Sequence, residues 1–226
     1  MVDANDNLLR IKEIEISIDD AMWKCLEDED HEQELQAYEK AKKELESIDV
    51  SVGEVKRERD RVLSYCLMRI NDALKNLERS DGSIERAEES LRFAEESKDR
   101  VQILRSKLAL GVALLNSGRI NDAERLFADI ILHTKDESQN REVIQVYGWT
   151  LIVRVNVLLG KSLYSQAQEL ANQALDVLSG IENYAGLRTV HSLLARIYQL
   201  ESKMEDAESH ARLSDHYADL AKTLKR

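Results

Sequence analysis

The sequence predicts an all-α fold of about ten helices stacked as antiparallel pairs, and three observations predict it. The 226 residues include no proline and only eight glycines, where average usage would supply roughly eleven and sixteen. Sheet proteins draw on both residues for their turns and on β-branched and aromatic residues for their strands, yet 5% of this chain is aromatic. Apolar residues recur at helical spacing throughout. A pattern centred on an alanine then repeats four times.

Polar and glycine-containing breaks fall at 27–30, 49–53, 80–83, 97–99, 116–118, 135–138, 160–162, 180 and 201–203. Before the first break, Leu8, Ile11, Ile18, Met22 and Leu26 step by three, four or seven, and Leu35, Tyr38, Leu45 and Ile48 do the same in the next segment. These two helices form a hairpin, with Ala37 and Ala41 as small contact residues. Residues 1–52 are therefore expected as an N-terminal helical hairpin, a cap or a diverged repeat, and residues 53–226 as a repeat array closed by a capping helix from Met204 to Leu224.

Within the array, Ala87, Ala123, Ala167 and Ala207 are spaced by 36, 44 and 40 residues. Three positions before each stands a bulky residue (Ile84, Ile120, Tyr164, Met204), expected to cover the end of its pair. Leu91 and Ala94, Phe127 and Ile130, Ala171 and Ala174, and Ala211 and Ser214 stand four and seven after. Where antiparallel helices cross closely, a side chain larger than alanine holds the backbones apart, so each alanine marks a crossing. One pair cannot bury both faces, whereas several stacked pairs can.

These segments resemble tetratricopeptide repeats. Leu110, Gly111 and Leu114, then Gly118, Ala123 and Phe127, follow the family pattern most closely, and Leu194, Ala195 and Tyr198 leading to Ala207 and Ala211 follow it nearly as well. The resemblance covers residues 55–226. The period exceeds the family's ~34, and the proline that commonly closes each repeat is absent. Other α-α solenoids, including the helical arrays of proteasome-lid-like subunits, share the pattern. The resemblance implies a right-handed α-α superhelix, non-enzymatic protein binding, and first helices that line a concave groove.

The segment from Val143 to Leu159 is apolar almost all round, as befits a helix buried on every side or lining a groove. Under the resemblance, Trp149, Arg154 and Asn156 face a partner from it, Trp and Arg being enriched at binding hot spots. Asn156 and Arg196 stand 40 apart, close to one repeat, and are expected to hydrogen-bond a peptide backbone or carboxylate jointly. The family's carboxylate-holding lysines have no counterpart, since Val112 occupies the equivalent position and Lys107 lies elsewhere on its helix.

Other functions are excluded or disfavoured by chemistry. Lys and Arg number 32 against 43 Asp and Glu, a net charge of -11, which opposes binding to polyanionic nucleic acid. The mixed run 56–61 and the basic tail 222–226 read as a solvated face and a helix carboxyl end. None of the five histidines, His31, His133, His191, His210 and His216, stands four residues from another, so no metal centre and no cofactor are expected. No nucleophile motif or phosphate-binding glycine loop occurs, so no catalysis is expected. Cys25 and Cys66 read as lone buried thiols in a reducing compartment.

No signal peptide or membrane span is recognised, and a cytoplasmic protein is the expectation. The sequence therefore predicts a scaffold binding a peptide or helix of another protein. The alternatives are a structural subunit or homodimer, which would expose apolar side chains such as Ile11, Ile14 and Ile18, and a peptide-sensing regulator.

Overall fold

The computed structural model describes residues 4–223; the first three residues and the tail from Leu224 lie outside it, as do the side chains of Leu26 and Glu27. Ten helices and no strand occur among the described residues. They are α1 (Ala4–Asp28), α2 (His31–Glu46), α3 (Gly53–Asn76), α4 (Ser83–Ser97), α5 (Arg100–Asn116), α6 (Ile120–Thr134), α7 (Arg141–Gly160), α8 (Tyr164–Gly180), α9 (Tyr184–Leu200) and α10 (Met204–Thr223). The residues group into two compact units, Met1–Ala123 and Glu124–Arg226. Residues 47–52 link α2 to α3, within the first unit.

The helices begin and end for local reasons. Asp30, Asp99, Asn140 and Asn183 cap α2, α5, α7 and α9 by accepting backbone N–H bonds from Gln33, Gln102, Val143 and Gly186 at 2.7–3.1 Å, satisfying donors the first turn leaves open. At the other ends, Gly118, Ser162 and Ser202 adopt left-handed backbone conformations. After each, the next N–H reaches back to the carbonyl five residues earlier, as in Arg119 to Leu114 at 2.9 Å, Leu163 to Leu158 at 3.0 Å and Lys203 to Tyr198 at 2.9 Å. Gly82 is left-handed too, and all four turn residues stand five before the repeat alanines. The repeat is thus a recurrence of backbone geometry as well as of sequence.

In the first unit α1, α3 and α5 form one layer, with α1 on α3 and α3 on α5, while α2 and α4 pack between them in a second layer. The N-terminal hairpin joins this arrangement through Ile11, Ile14, Ile18, Tyr38 and Leu45, all buried in one core with Val55, Leu63 and Cys66. The isoleucines named above as candidates for exposure are therefore core residues. Arg61 of α3 grips Glu15 of α1 through two bonds of 2.6 and 2.8 Å. Where α3, α4 and α5 meet, the crossing is polar: the buried hydroxyls of Ser64, Ser90 and Ser106 lie 2.9–3.1 Å apart. Gln102 donates to Ser64 at 3.0 Å, so the buried polar atoms satisfy one another.

All four repeat alanines are buried, none more than 1% exposed. The bulky residues before them, expected to cover the ends of their pairs, are not: Ile120 and Met204 are exposed, and Ile84 and Tyr164 are half-buried. Ala211 is exposed as well, as expected on the last helix.

In the second unit α7 and α9 pack together, and α8 crosses both. Leu178 of α8 is fully buried at the point where two glycines meet it. A Cβ on Gly148 of α7 would stand 2.5 Å from Leu178 Cδ2, and one on Gly186 of α9 would stand 2.8 Å from Cδ1. One leucine therefore fills the space of two omitted side chains. By length and composition α7 could cross a membrane, but 56% of the relevant stretch is buried inside the protein, the mark of a core helix.

Five rings join α9 to α10. Tyr184, His191 and Tyr198 are spaced seven apart on α9, and His210 and Tyr217 seven apart on α10. The two series interleave in the order Tyr184, Tyr217, His191, His210, Tyr198, with centroids 5.1–6.1 Å apart and planes within 28°. The Nδ1 atoms of His191 and His210 are 2.8 Å apart, so one must donate while the other accepts. Burial and the neighbouring His210 push His191 down to about 4, and burial lowers His210 as well.

Gly148→Ala is expected to destabilise the protein by about 1–2 kcal/mol in urea denaturation, because overpacking outweighs the ~1 kcal/mol of helix propensity gained. In a Leu178→Ala background the clash is gone and the same change becomes stabilising; an unchanged sign in the two backgrounds would refute the wedge. The histidine pair predicts acid sensitivity. Because His191 has a lower pKa folded than unfolded, the unfolded chain takes up its proton first. Stability from this group is complete above about pH 6.5 and is lost as pH falls toward 4, by on the order of 2 kcal/mol. Urea titrations of wild type and His191→Phe should therefore diverge between pH 7 and pH 4.5.

Candidate functional site

Most of α7 is core, but one stripe reaches solvent. Trp149 is half-buried against the core of its unit, and Val153 and Asn156 follow at spacings of four and three, which keep them on one helix face. Asn156 is exposed, and its amide donates to the Ile152 carbonyl one turn back at 3.3 Å. Arg154 is turned away from this stripe. Its Nε is buried 3.3 Å from the Glu124 carboxylate, without the alignment of a hydrogen bond, so this guanidinium is already held inside its own unit.

On α9, Arg196 is exposed beside Ser192 and Arg188, one and two turns earlier. No hydrogen bond or ion pair joins it to another described residue. Asn156 and Arg196 each stand six residues before a left-handed turn residue, Ser162 and Ser202. They occupy equivalent points on helices that pack directly together. The four residues expected to contact a partner thus divide: Asn156 and Arg196 face solvent, Trp149 is partly available, and Arg154 is committed to Glu124. None of the four bonds to another.

A second constellation lies at the α1–α2 corner, across a link of only two residues. The Cys25 Sγ sits 3.1 Å from His31 Nδ1, and the same nitrogen is 3.0 Å from Glu34 Oε2. Tyr38 donates to the other Glu34 oxygen at 2.7 Å. Burial, reinforced by Glu34, pushes the Cys25 thiol up to about 12. Burial works to raise Glu34 too, but hydrogen bonds from His31 and Tyr38 outweigh it and hold the carboxyl below its usual range. The sequence does not advertise this group, because its members belong to two helices; histidine pairs one turn apart are a signal for single-helix sites only. Cys66, the other free thiol, is buried apart from it and donates to the Tyr38 carbonyl at 3.2 Å.

No family model matches the chain, and no curated protein matches it. Among solved structures, the chain is similar to the crystal structure of BtubC (BKLC) from P. vanneervenii, with 12% identity, a TM-score of 0.55, and coverage of 94% of this chain and 91% of that one. A de novo designed helical repeat protein, DHR64, aligns over 99% of this chain and 98% of its own at 20% identity, with a TM-score of 0.27. At these identities the likeness to BtubC concerns the fold alone: this chain has a helical repeat-like, all-α fold.

Proposed function

We propose that the protein is a non-enzymatic scaffold of the tetratricopeptide type, cytoplasmic, that receives a peptide or helix of another protein along the α7–α9 face. The observation that carries this reading is the pair Asn156 and Arg196. Both are exposed at equivalent points of adjoining helices, and Arg196 has no intramolecular charge partner among the described residues. A solvated arginine and, two turns from Asn156 on α7, a half-buried tryptophan are residue types enriched at binding hot spots. An extended segment would meet Asn156 and Arg196 through backbone or carboxylate oxygens, while the net charge of -11 favours a partner that is basic and apolar elsewhere.

A second reading, assembly through the edges of the molecule, is favoured by a different observation. Leu9, Ile16 and Trp23 are exposed at seven-residue intervals along α1, on the side of the helix away from the buried Ile11, Ile14 and Ile18. Such a stripe suits a second helix, from another copy or another subunit.

Two measurements separate the readings. The full protein and its Asn156→Ala/Arg196→Ala variant are compared by chemical cross-linking and capture from the native extract. Proteins held by the α7–α9 face should be lost at least tenfold with the variant, since truncating hot-spot residues costs about 1–2 kcal/mol each. Equal capture rejects that face. Sedimentation of the purified protein over a wide concentration range should show a monomer throughout; a dimer that Ile16→Glu dissociates would establish the edge reading instead.

A further inference from the structure

We propose that Cys25, His31 and Glu34 form a binding site for a divalent zinc ion at the corner between α1 and α2. Their ligand atoms, Sγ, Nδ1 and a carboxylate oxygen, all lie within 4.8 Å of one another. Zinc takes sulfur at about 2.3 Å and nitrogen or oxygen at about 2.0–2.1 Å, which places tetrahedral ligands about 3.3–3.6 Å apart. The observed gaps of 3.1 and 3.0 Å reach that spacing by opening a few tenths of an ångström.

The protein's own hydrogen bonds already draw these side chains together. Cys25 Sγ at 3.1 Å, Glu34 Oε2 at 3.0 Å and Asn76 Nδ2 at 3.5 Å all crowd His31 Nδ1. A ring nitrogen offers one in-plane proton or one lone pair, so it can serve only one of the three. A cation placed between the sulfur, the ring nitrogen and the carboxylate oxygen bonds all three ligand atoms at once, and the Asn76 amide, a donor, stays outside the set. A thiolate and a carboxylate balance its two charges, and a soft thiolate beside an imidazole selects zinc over magnesium or calcium.

The surroundings suit a metal as well. Tyr38 fixes the second oxygen of Glu34 at 2.7 Å, the kind of outer partner that orients a ligating carboxylate. The Asp30 cap on Gln33 and the left-handed Glu29 between the helices hold the corner closed. A surface cavity of about 200 Å³ borders two of the ligands, Cys25 and Glu34, together with Lys24, Asp28 and Asp30. It provides a route in and room for water as the fourth ligand. On binding, the Cys25 proton leaves to solvent, and His31 ligates as a neutral ring protonated at Nε2.

The test uses the full-length protein stripped with a chelator and titrated with Co²⁺ and then Zn²⁺ against a competing chromophoric chelator. One equivalent of Co²⁺ should produce a thiolate-to-metal charge-transfer band and the ligand-field bands of a tetrahedral site, and Zn²⁺ should abolish both. Cys25→Ser should remove the charge-transfer band, and His31→Gln should weaken Zn²⁺ binding by a hundredfold or more. Tyr38→Phe, which keeps every ligand, should weaken it about tenfold, and Cys66→Ser should leave the spectrum unchanged. Circular dichroism of each variant verifies that the helices persist. Failure to bind a stoichiometric equivalent, a spectrum without the thiolate band, or wild-type Zn²⁺ affinity in the Cys25→Ser or His31→Gln variant overturns the proposal. None of these outcomes bears on the α7–α9 face, which lies in the other unit.

Discussion

How closely two helix backbones can approach is the constraint on which the rest of this structure depends. At Gly148 and Gly186 the side chain is absent because Leu178 of another helix occupies the space it would need, and the four repeat alanines are buried in turn. Close packing gives each methylene there many neighbours at van der Waals distance, so a single added carbon is felt. Leu178, wedged between two glycines, shows the two sides of that economy: large residues from one helix fill what small residues on two others vacate. Once the crossings are fixed, so are the positions of the turns, and with them the register of every exposed residue on α7 and α9.

Polar groups inside the molecule obey a second constraint, that each must find a partner where water is excluded. Ser64, Ser90 and Ser106 meet it with one another at the α3–α4–α5 crossing, and the His191–His210 pair meets it by sharing a single proton position. The corner of Cys25, His31 and Glu34 is different, since a thiol, an imidazole and a carboxylate, all groups that ligate metals, converge there. That contrast separates a settled internal network from a place where an external ion fits. The exposed residues of the α7–α9 face stand apart again, because an unpaired Arg196 costs nothing in water and becomes valuable only when a partner excludes it.

Much of the architecture was legible because it is local. The breaks between helices, the seven-residue series in α1 and α2, and the four spaced alanines all follow from helix periodicity and from the small residues that close crossings demand. The left-handed turns were half legible: glycine at 82 and 118 announces them, whereas Ser162 and Ser202 adopt the same geometry with residue types that do not. Of the residues expected to contact a partner, Asn156 and Arg196 share equivalent repeat positions, and both are exposed. Arg154 could not be placed that way, since its fate depends on Glu124, thirty residues earlier.

That the chain is helical and that its helices pair is encoded at spacings of three, four and seven residues within single segments. Only the tertiary structure decided which side chains from different helices share a space. It buried Ile11, Ile14 and Ile18 while exposing Leu9 and Ile16, interleaved five rings of α9 and α10, and gathered a thiol, an imidazole and a carboxylate across a two-residue link. Those outcomes turn on the rotation of one helix against the next, a quantity set by packing between segments and absent from the periodicity of either.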